Sequence, residues 1–225
     1  MTTPAITVVT PVYNCARYIE EAILSVVAQA LPLRHVVVDD GSTDDTLSVV
    51  EQHAGLLTIL RRPHRGHAPT LNAGLALVDT PWVSFLDADD VLEPNALARL
   101  LSATERDALA DVVVGHCVEF ASDEALEPRH RWVIREGTTP GYGPGGVLIR
   151  ADLLRRLGGF DESIQYGIFV DLFARAKDRG AAFSVIEDVV FRRRIHGGNM
   201  SHQIRDSRRD HRAIARAALA RRRSE

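Results

Sequence analysis

The first 120 residues alternate short apolar runs with longer segments whose apolar positions recur every three or four residues. The runs predict strands at 6–10, 36–38, 57–60, 82–86 and 112–120. The segments between them predict four helices. The first begins near Asn14 as its cap, and the second begins at a capping box of Ser42 and Asp45. This alternation is typical of βαβ units, in which a parallel sheet is covered by helices on both faces.

The pattern changes after residue 120. Between 121 and 144 the apolar period gives way to charged residues, Thr, Gly and Pro, which indicates a connecting loop. Strands are predicted at 145–150 and 183–193, and helices at 152–157, 170–177 and 205–223. We therefore expect one α/β domain with a larger half at 1–120, a smaller half at 121–200 and a basic C-terminal helix within 201–225.

Composition and charge disfavour some classes of binding partner. The 225 residues are 45% apolar and 25% charged with a net charge of −3, which disfavours nucleic acid or an anionic membrane as the main partner. Eleven arginines after residue 190 leave peripheral membrane contact open for the tail, although a solvated charged helix is the default. Two cysteines without a CxxC spacing, and no long apolar run, predict a cytoplasmic protein without a transmembrane segment.

Acidic residues follow two of the predicted strands. Asp39 and Asp40 come after one strand, and Asp87, Asp89 and Asp90 come after another. In open α/β sheets the carboxyl edge of the strands binds ligands. Carboxylates that converge there repel one another, so they require a cation or hydrogen-bond donors. Asp-x-Asp can offer one carboxylate to Mg²⁺ or Mn²⁺ and the other to a sugar hydroxyl, although Asp is also common in turns.

Six short segments occur in one order along residues 5–202. They are Thr10-Pro11-Val12-Tyr13-Asn14, Val38-Asp39-Asp40-Gly41-Ser42-Thr43-Asp44, Gly66 with Asn72-Ala73-Gly74, Phe85-Leu86-Asp87-Ala88-Asp89-Asp90, Gly158-Gly159-Phe160-Asp161-Glu162 and His196-Gly197-Gly198-Asn199-Met200-Ser201. In these segments the chain closely resembles family 2 glycosyltransferases of the GT-A fold. The resemblance implies a Rossmann-like, mostly parallel sheet flanked by helices, with a smaller acceptor-side half. It also implies inverting, metal-dependent transfer of a sugar from a nucleotide-diphosphate donor, UDP by preference, to an unidentified acceptor hydroxyl.

The resemblance also assigns roles to individual residues. It places the nucleotide at Pro11, Tyr13, Asp40, Asn72 and Asp87. It places a divalent cation, Mn²⁺ or Mg²⁺, at Asp87, Asp89 and His196. Asp40 matches the acid that accepts the N–H of the base. Asp39 is the alternative for that role, unless it caps the helix that begins at Ser42.

The chain departs from the family pattern where the family usually has a Glu-Asp pair, which falls here on Ile168 and Phe169. Neither side chain accepts a proton. Asp171 is the retained acid of that motif and is the candidate catalytic base, unless it only begins a helix. Asp161 and Glu162, on an adjacent turn, are its substitutes. An alternative function is a weak or inactive nucleotide-sugar-binding relative that serves as a partner subunit.

Basic residues are candidates for neutralising the phosphates or binding a metal. Leu71 stands where the family commonly has a basic residue, so phosphate neutralisation is expected from Arg62, Arg65 or the arginines 192–194. His64 and His67 have a zinc-like spacing but no matching partners in the nearby sequence. We therefore expect these two histidines to lie in a solvent-facing loop.

Overall fold

A computed structural model describes residues 3–122, 134–199 and 214. Its strands are β1 (Ile6–Val12), β2 (Leu33–Asp39), β3 (Thr58–Arg61), β4 (Trp82–Phe85), β5 (Val91–Leu92), β6 (Val112–Ala121), β7 (Thr139–Pro140), β8 (Val147–Arg150) and β9 (Phe183–Ile195). Its helices are α1 (Ile19–Val27), α2 (Thr46–Glu51), α3 (His67–Leu75), α4 (Ala96–Arg106), α5 (Ala151–Leu157) and α6 (Ile168–Asp178). The predicted basic helix lies outside the described residues, except for the buried Ile214.

The strands form one mixed sheet in the order β3-β2-β1-β4-β8-β6-β9-β5, with β7 beside β6. Strands β1 to β4 are mutually parallel. Because β8 is antiparallel to both β4 and β6, β6 runs with β4, and β9 is parallel to β6. Six of the nine described strands therefore run in one direction, and only β5, β7 and β8 oppose them. The carboxyl ends of β1, β2, β4 and β9 consequently meet at one edge of the sheet.

Alternating strand residues supply two apolar cores, one on each face of the sheet. On β1, Val8 packs with helices α1 and α4, whereas Val9 packs with α3, α5 and α6. On β2, Val37 faces α1 and α2, whereas Val36 and Val38 face the α3 side. This arrangement confirms the predicted α/β class, because a strand with apolar residues on both faces needs helices on both faces.

Two predicted helix starts are wrong. Helix α1 begins after Tyr18, and Asn14 instead accepts the N–H of Thr43 through its side-chain oxygen at 2.7 Å. Helix α2 begins after Asp45, and the hydroxyl oxygen of Ser42 accepts the N–H of Asn14 at 3.0 Å. These side chains join the loop after β1 to the loop after β2, so they shape the carboxyl edge rather than cap helices.

The two predicted halves share this sheet. Their expected boundary at residue 120 falls inside β6, which pairs with β8 and with β9. Strand β8 also pairs with β4 from the first half. The predicted pattern for 183–193 is observed as one long strand, β9, which extends to Ile195. That extension brings the residue after β9 to the same edge as the ends of β1, β2 and β4.

His35 is a buried polar residue in the middle of this arrangement. The residue is 3% exposed, and its Nε2 lies 2.9 Å from the hydroxyl oxygen of Thr10 on the neighbouring strand. Within the described residues its Nδ1 has no hydrogen-bond partner. Burial disfavours the charged imidazolium and lowers the pKa of His35 to about 3.

His35 should therefore make folding sensitive to acid. An unfolded histidine has a pKa of about 6.5, so below that pH the unfolded chain binds a proton at His35 that the folded chain does not. The free energy of unfolding should fall as the pH decreases from about 6.5, by about 1.4 kcal/mol per pH unit from this group. Urea unfolding of the native chain and of His35→Gln at several pH values measures the difference. His116→Gln is the matched control, and identical acid dependence in the native chain and His35→Gln would contradict the prediction.

Candidate active site

Four strand ends bring the predicted site residues to one edge of the sheet. Tyr13 follows β1, Asp40 follows β2, Asp87 and Asp89 follow β4, and His196 follows β9. Pro11 lies within β1, beside the end of β2. Tyr13 is 44% exposed, whereas Asp40 is 3% exposed. The edge therefore combines a partly exposed aromatic ring with a buried carboxylate.

Three carboxylates form a compact group in the turn after β4. One oxygen each of Asp87, Asp89 and Asp90 lies within 4.8 Å of the others. Asp90 is 5% exposed, and the backbone N–H of Arg194 donates to it at 2.8 Å. Burial, with the negative charges of Asp89 and Asp87, raises the pKa of Asp90 well above its usual range. Oxygen ligands at this spacing fit Mg²⁺ or Mn²⁺, and a bound cation would relieve their repulsion.

His196 contacts this group directly. Its Nε2 lies 2.8 Å from Oδ2 of Asp89, and its Nδ1 accepts the N–H of Gly198 at 3.1 Å. Because Nδ1 accepts, Nε2 carries the proton of the neutral ring and donates to Asp89. In this state His196 orients Asp89. Ligation of a cation through Nε2 requires the proton to move to Nδ1 and the Gly198 amide to turn away.

Asn199 and Arg194 hold the same turn, a role that was not predicted from the sequence. The amide nitrogen of Asn199 donates to Asp89 at 3.1 Å, and its oxygen accepts the N–H of His196 at 2.6 Å. The guanidinium of Arg194 lies 4.8 Å from the ring of Tyr18 and 4.5 Å from that of Phe120, and it donates to the backbone oxygen of Asp89. For Asn199, the sequence signal was its place in His196-Gly197-Gly198-Asn199, directly after a predicted strand.

The arginines expected to neutralise phosphate are mostly paired with carboxylates. Arg192 pairs with Glu93, Arg193 with Glu119, Arg194 with Glu21 and Arg62 with Asp40. Arg65 is exposed and has no carboxylate partner among residues 3–122 and 134–199. It is therefore the arginine of that predicted set with an available charge.

Asp40 ties the loop after β3 to the edge. Its carboxylate accepts the backbone N–H groups of Arg65 at 3.1 Å and of Gly66 at 2.7 Å, and it lies 2.9 Å from Nδ1 of His64. Asp39, the alternative for reading the base, accepts the N–H of Ser42 in its own turn at 3.2 Å. Asp40 therefore faces the loop at the site, and Asp39 stabilises the turn that follows β2.

The expectation of a solvent-facing loop holds for His64, whose side chain is 53% exposed, and is wrong for His67, which begins α3 and is partly buried. The ring of His64 stacks on Tyr13 with centroids 4.0 Å apart and planes 25° apart. Nε2 of His67 lies 3.6 Å from Oδ1 of Asp87. The two histidines therefore line the edge between its aromatic end and its carboxylate end. Local spacing missed them because only the tertiary contacts of Asp40 and Asp87 place them there.

Asn72 connects helix α3 to the second half of the chain. Its amide oxygen accepts the N–H of Phe160 at 2.8 Å, and its amide nitrogen donates to the backbone oxygen of Phe160 and to Glu162. Glu162 is exposed and, with Asn72, Arg62 and Arg65, lines a cavity of about 570 Å³. Asn72 thus lies between the two halves, and its side chain is hydrogen-bonded to the backbone of Phe160.

The two residues that replace the usual acidic pair are part of the core. Ile168 is 4% and Phe169 is 5% exposed. Phe169 makes edge contacts with Phe85, at 5.4 Å, and with Phe160, at 5.0 Å. The position that is usually acidic is therefore filled by an aromatic cluster, and no carboxylate could be accommodated there without losing that packing.

Asp171 lies in the first turn of α6 and is 3% exposed. It accepts a hydrogen bond from Nε of Arg175 at 2.7 Å. The same guanidinium donates to the backbone oxygens of Leu157 and Gly159. The Asp171–Arg175 pair therefore fastens α6 to the end of α5.

Comparison with known proteins gives one family. The sequence model described as Glycosyl transferase family 2 matches residues 7–160. The chain is 30% identical to the succinoglycan biosynthesis protein ExoU of Rhizobium meliloti (strain 1021), covering 92% of this chain and 67% of that protein. It is 27% identical to the chondroitin synthase of Pasteurella multocida (strain Pm70), covering 98% of this chain and 24% of that protein. The chain thus spans about two thirds of the first relative and a quarter of the second.

Solved structures show the same fold. S. aureus TarS 1-349 in complex with UDP-GlcNAc is 22% identical with a TM-score of 0.69, and the match covers 86% of this chain and 59% of that chain. The mannosyltransferase PcManGT from Pyrobaculum calidifontis, in complex with GDP-Man and Mn²⁺, is 24% identical with a TM-score of 0.68 over 90% of this chain and 60% of that one. The predicted GT-A fold is confirmed. Among the helices at 3–122 and 134–199, none is long and apolar enough to cross a membrane.

The Asp171–Arg175 pair should matter for stability. Asp171→Asn should lower the free energy of unfolding by about 2 kcal/mol, because it leaves the mostly buried Arg175 without a counter-charge. Asp152→Asn is a matched control, since Asp152 and Arg156 form an exposed pair of the same i,i+4 spacing on α5. The control should change stability by less than about 0.5 kcal/mol. Urea unfolding at pH 7.5 measures both, and equal small effects would contradict the prediction.

Proposed function

This chain belongs to glycosyl transferase family 2, and we propose that it transfers a sugar from a nucleotide-diphosphate donor, UDP-linked by preference, to an acceptor hydroxyl with inversion and dependence on a divalent cation. The observation that carries the proposal is the meeting of Tyr13, Asp40, Asp87 and Asp89 at one edge of the sheet. One end of this edge suits an aromatic base and the other suits a metal-bound diphosphate.

The donor would lie along the edge from β2 to β4. Pro11 and the exposed ring of Tyr13 would pack on the base, and Asp40 would accept a base N–H. Asp87 would contact the ribose, and Asn72 would support the nucleotide from α3. TarS in complex with UDP and with UDP-GlcNAc, and PcManGT with GDP-Man, support a nucleotide-sugar donor.

A divalent cation, Mn²⁺ or Mg²⁺, would be held by Asp87 and Asp89. Asp90 completes their carboxylate group, and His196 would either orient Asp89 or bind the ion after its proton moves to Nδ1. When bound, such a cation stabilises the negative charge that develops on a diphosphate leaving group. Mn²⁺ in the PcManGT complex supports this assignment. The exposed guanidinium of Arg65 would add a second positive charge near the diphosphate.

The chemistry requires one proton acceptor. In a single displacement the acceptor oxygen forms a bond to the anomeric carbon as the bond from that carbon to the diphosphate oxygen breaks. The proton of the acceptor hydroxyl passes to a carboxylate within hydrogen-bond distance. No covalent nucleophile is needed, which agrees with a site built from carboxylates and hydrogen-bond donors.

Two carboxylates are candidates for this base, Asp171 and Glu162. Asp171 would have to leave Arg175 before it could accept a proton, because its side chain is only 4% exposed. Glu162 is exposed, receives one hydrogen bond from Asn72 and shares a cavity with Arg65. Asp161 has its pKa lowered by hydrogen bonds from Ser163, which weakens it as a base. The geometry therefore favours Glu162 over Asp171.

The remaining part of the chain is proposed to bind the acceptor. We propose that residues 121–200 form the acceptor-binding half and that the basic segment 201–225 is an appendage able to contact phospholipid. The low cysteine content fits a cytoplasmic location. The inactive partner-subunit alternative is not favoured, because the relatives are described as a biosynthesis protein and synthases.

Removal of Asp89 should abolish metal-dependent turnover. Asp89→Asn should lower the affinity for Mn²⁺ by about 100-fold, since it removes a charged ligand and the partner of His196. Calorimetry measures Mn²⁺ binding, and UDP or GDP release measures hydrolysis of a panel of nucleotide sugars, which requires no acceptor. Asp79→Asn is the control, because that carboxylate pairs with Arg34 at the surface. Native Mn²⁺ affinity and turnover in Asp89→Asn would overturn the metal assignment.

The two candidate bases are separated by paired variants. Glu162→Gln should reduce kcat by about 100-fold or more while UDP affinity is retained, because glutamine keeps the oxygen that accepts the Asn72 amide but cannot take a proton. Asp171→Asn, assayed well below its unfolding temperature, should keep most of its turnover. The reverse result, with loss of kcat in Asp171→Asn alone, would identify Asp171 as the base.

A further inference from the structure

The side chain of His64 lies where the proposed function places the nucleobase. Its ring stacks on Tyr13 at 4.0 Å, and its Nδ1 lies 2.9 Å from the carboxylate of Asp40. These are the two contacts that the base of the donor would make. We propose that His64 occupies the base site in the free protein and rotates out when the donor binds, an inference that rests on the proposed function.

His64 directs one ring N–H at Asp40, as a base would. Besides the carboxylate of Asp40, Nδ1 contacts the backbone oxygen of Asp40 at 3.2 Å. Both partners only accept hydrogen bonds, so Nδ1 carries a proton and donates it. A flat aromatic ring that stacks on Tyr13 and directs a ring N–H at Asp40 shares these two features with a pyrimidine, whose imide N–H lies at the edge of its ring. His64 and the base therefore cannot use this position together.

The backbone of His64 is fixed, which makes rotation of the side chain the required movement. The N–H groups of Arg65 and Gly66 bind Asp40, and a Cβ at Gly41 would lie 2.8 Å from the backbone nitrogen of His64. The loop is thus packed closely against the turn after β2. In contrast, the His64 side chain is 53% exposed and can turn toward solvent.

Departure of the ring leaves Asp40 in place. The carboxylate keeps the Arg65 and Gly66 amides and the nearby guanidinium of Arg62 at 3.5 Å. Only the contact with the His64 ring is lost, and a base N–H can approach the carboxylate in its place. The affinity for a nucleotide is therefore reduced by the fraction of molecules in which His64 has already turned away.

This competition should depend on the base and not on the phosphates. Pyrophosphate has no base to stack on Tyr13, so it would meet only the carboxylate end of the site and the cation. UDP would meet both ends. A variant that lacks the His64 ring should consequently bind UDP more tightly and pyrophosphate unchanged.

The test is calorimetric titration of the full chain with UDP and with pyrophosphate in the presence of Mn²⁺. His64→Ala should bind UDP about five- to tenfold more tightly than the native chain, the effect expected for loss of one competing hydrogen bond and one ring contact. The same variant should bind pyrophosphate within about twofold of the native chain, since only the base end of the site has changed. His53→Ala, which removes an imidazole paired with Glu20, is the control and should match the native chain for both ligands.

A second measurement follows His64 itself. In the native chain, saturating UDP should shift the ring proton resonances of His64 as the ring leaves Tyr13, whereas pyrophosphate should not. UDP binding that is unchanged or weaker in His64→Ala, or a His64 resonance that UDP does not move, would overturn this inference and leave the proposed function intact. Absence of nucleotide binding by both chains would instead overturn the proposed function, and this inference with it.

Discussion

The repulsion between three carboxylates at the carboxyl edge of the sheet is the constraint on which the site depends. Asp87, Asp89 and Asp90 bring their oxygens within 4.8 Å of one another. Hydrogen-bond donors from the end of β9 partly offset this repulsion. One of them, His196, is 107 residues from Asp89 in the sequence. Arg194 holds Asp90 through its backbone N–H and supports Asp89 through its side chain. These donors fix the turn, and the remaining negative charge is the reason we propose that a divalent cation binds at this edge.

The direction of the strands explains how distant residues reach this edge. Parallel strands β1, β2 and β4 end beside one another, and the antiparallel β8 allows β6 and β9 to run in the same direction as β4. The second half of the chain can therefore contribute His196 to a site formed mainly by the first half. The same half has Ile168 and Phe169 in place of the usual acidic pair, so the aromatic core extends to that position. For this reason we propose Glu162, on the neighbouring turn, as the base.

The sequence predicted those features that depend on long patterns. Apolar runs identified most of the strands of the sheet, and the acidic residues after β2 and β4 indicated the ligand edge. Strands β5 and β7 were not predicted, because two residues carry no period. Asn14 and Ser42 were misassigned as caps because Asn and Ser serve both caps and loops, and only tertiary contacts separate the two. The placement of His64 and His67 depends on a loop that folds back onto Asp40 and Asp87, which no local spacing encodes.

One bound cation should contact both a diphosphate and the carboxylates in the turn after β4. Electron–nuclear double resonance of Mn²⁺ bound to the full chain, recorded with saturating UDP, tests this most directly. Phosphorus couplings on the protein-bound ion, absent in Asp89→Asn, are the expected result. A protein-bound Mn²⁺ that shows no phosphorus coupling when UDP is present would contradict the account.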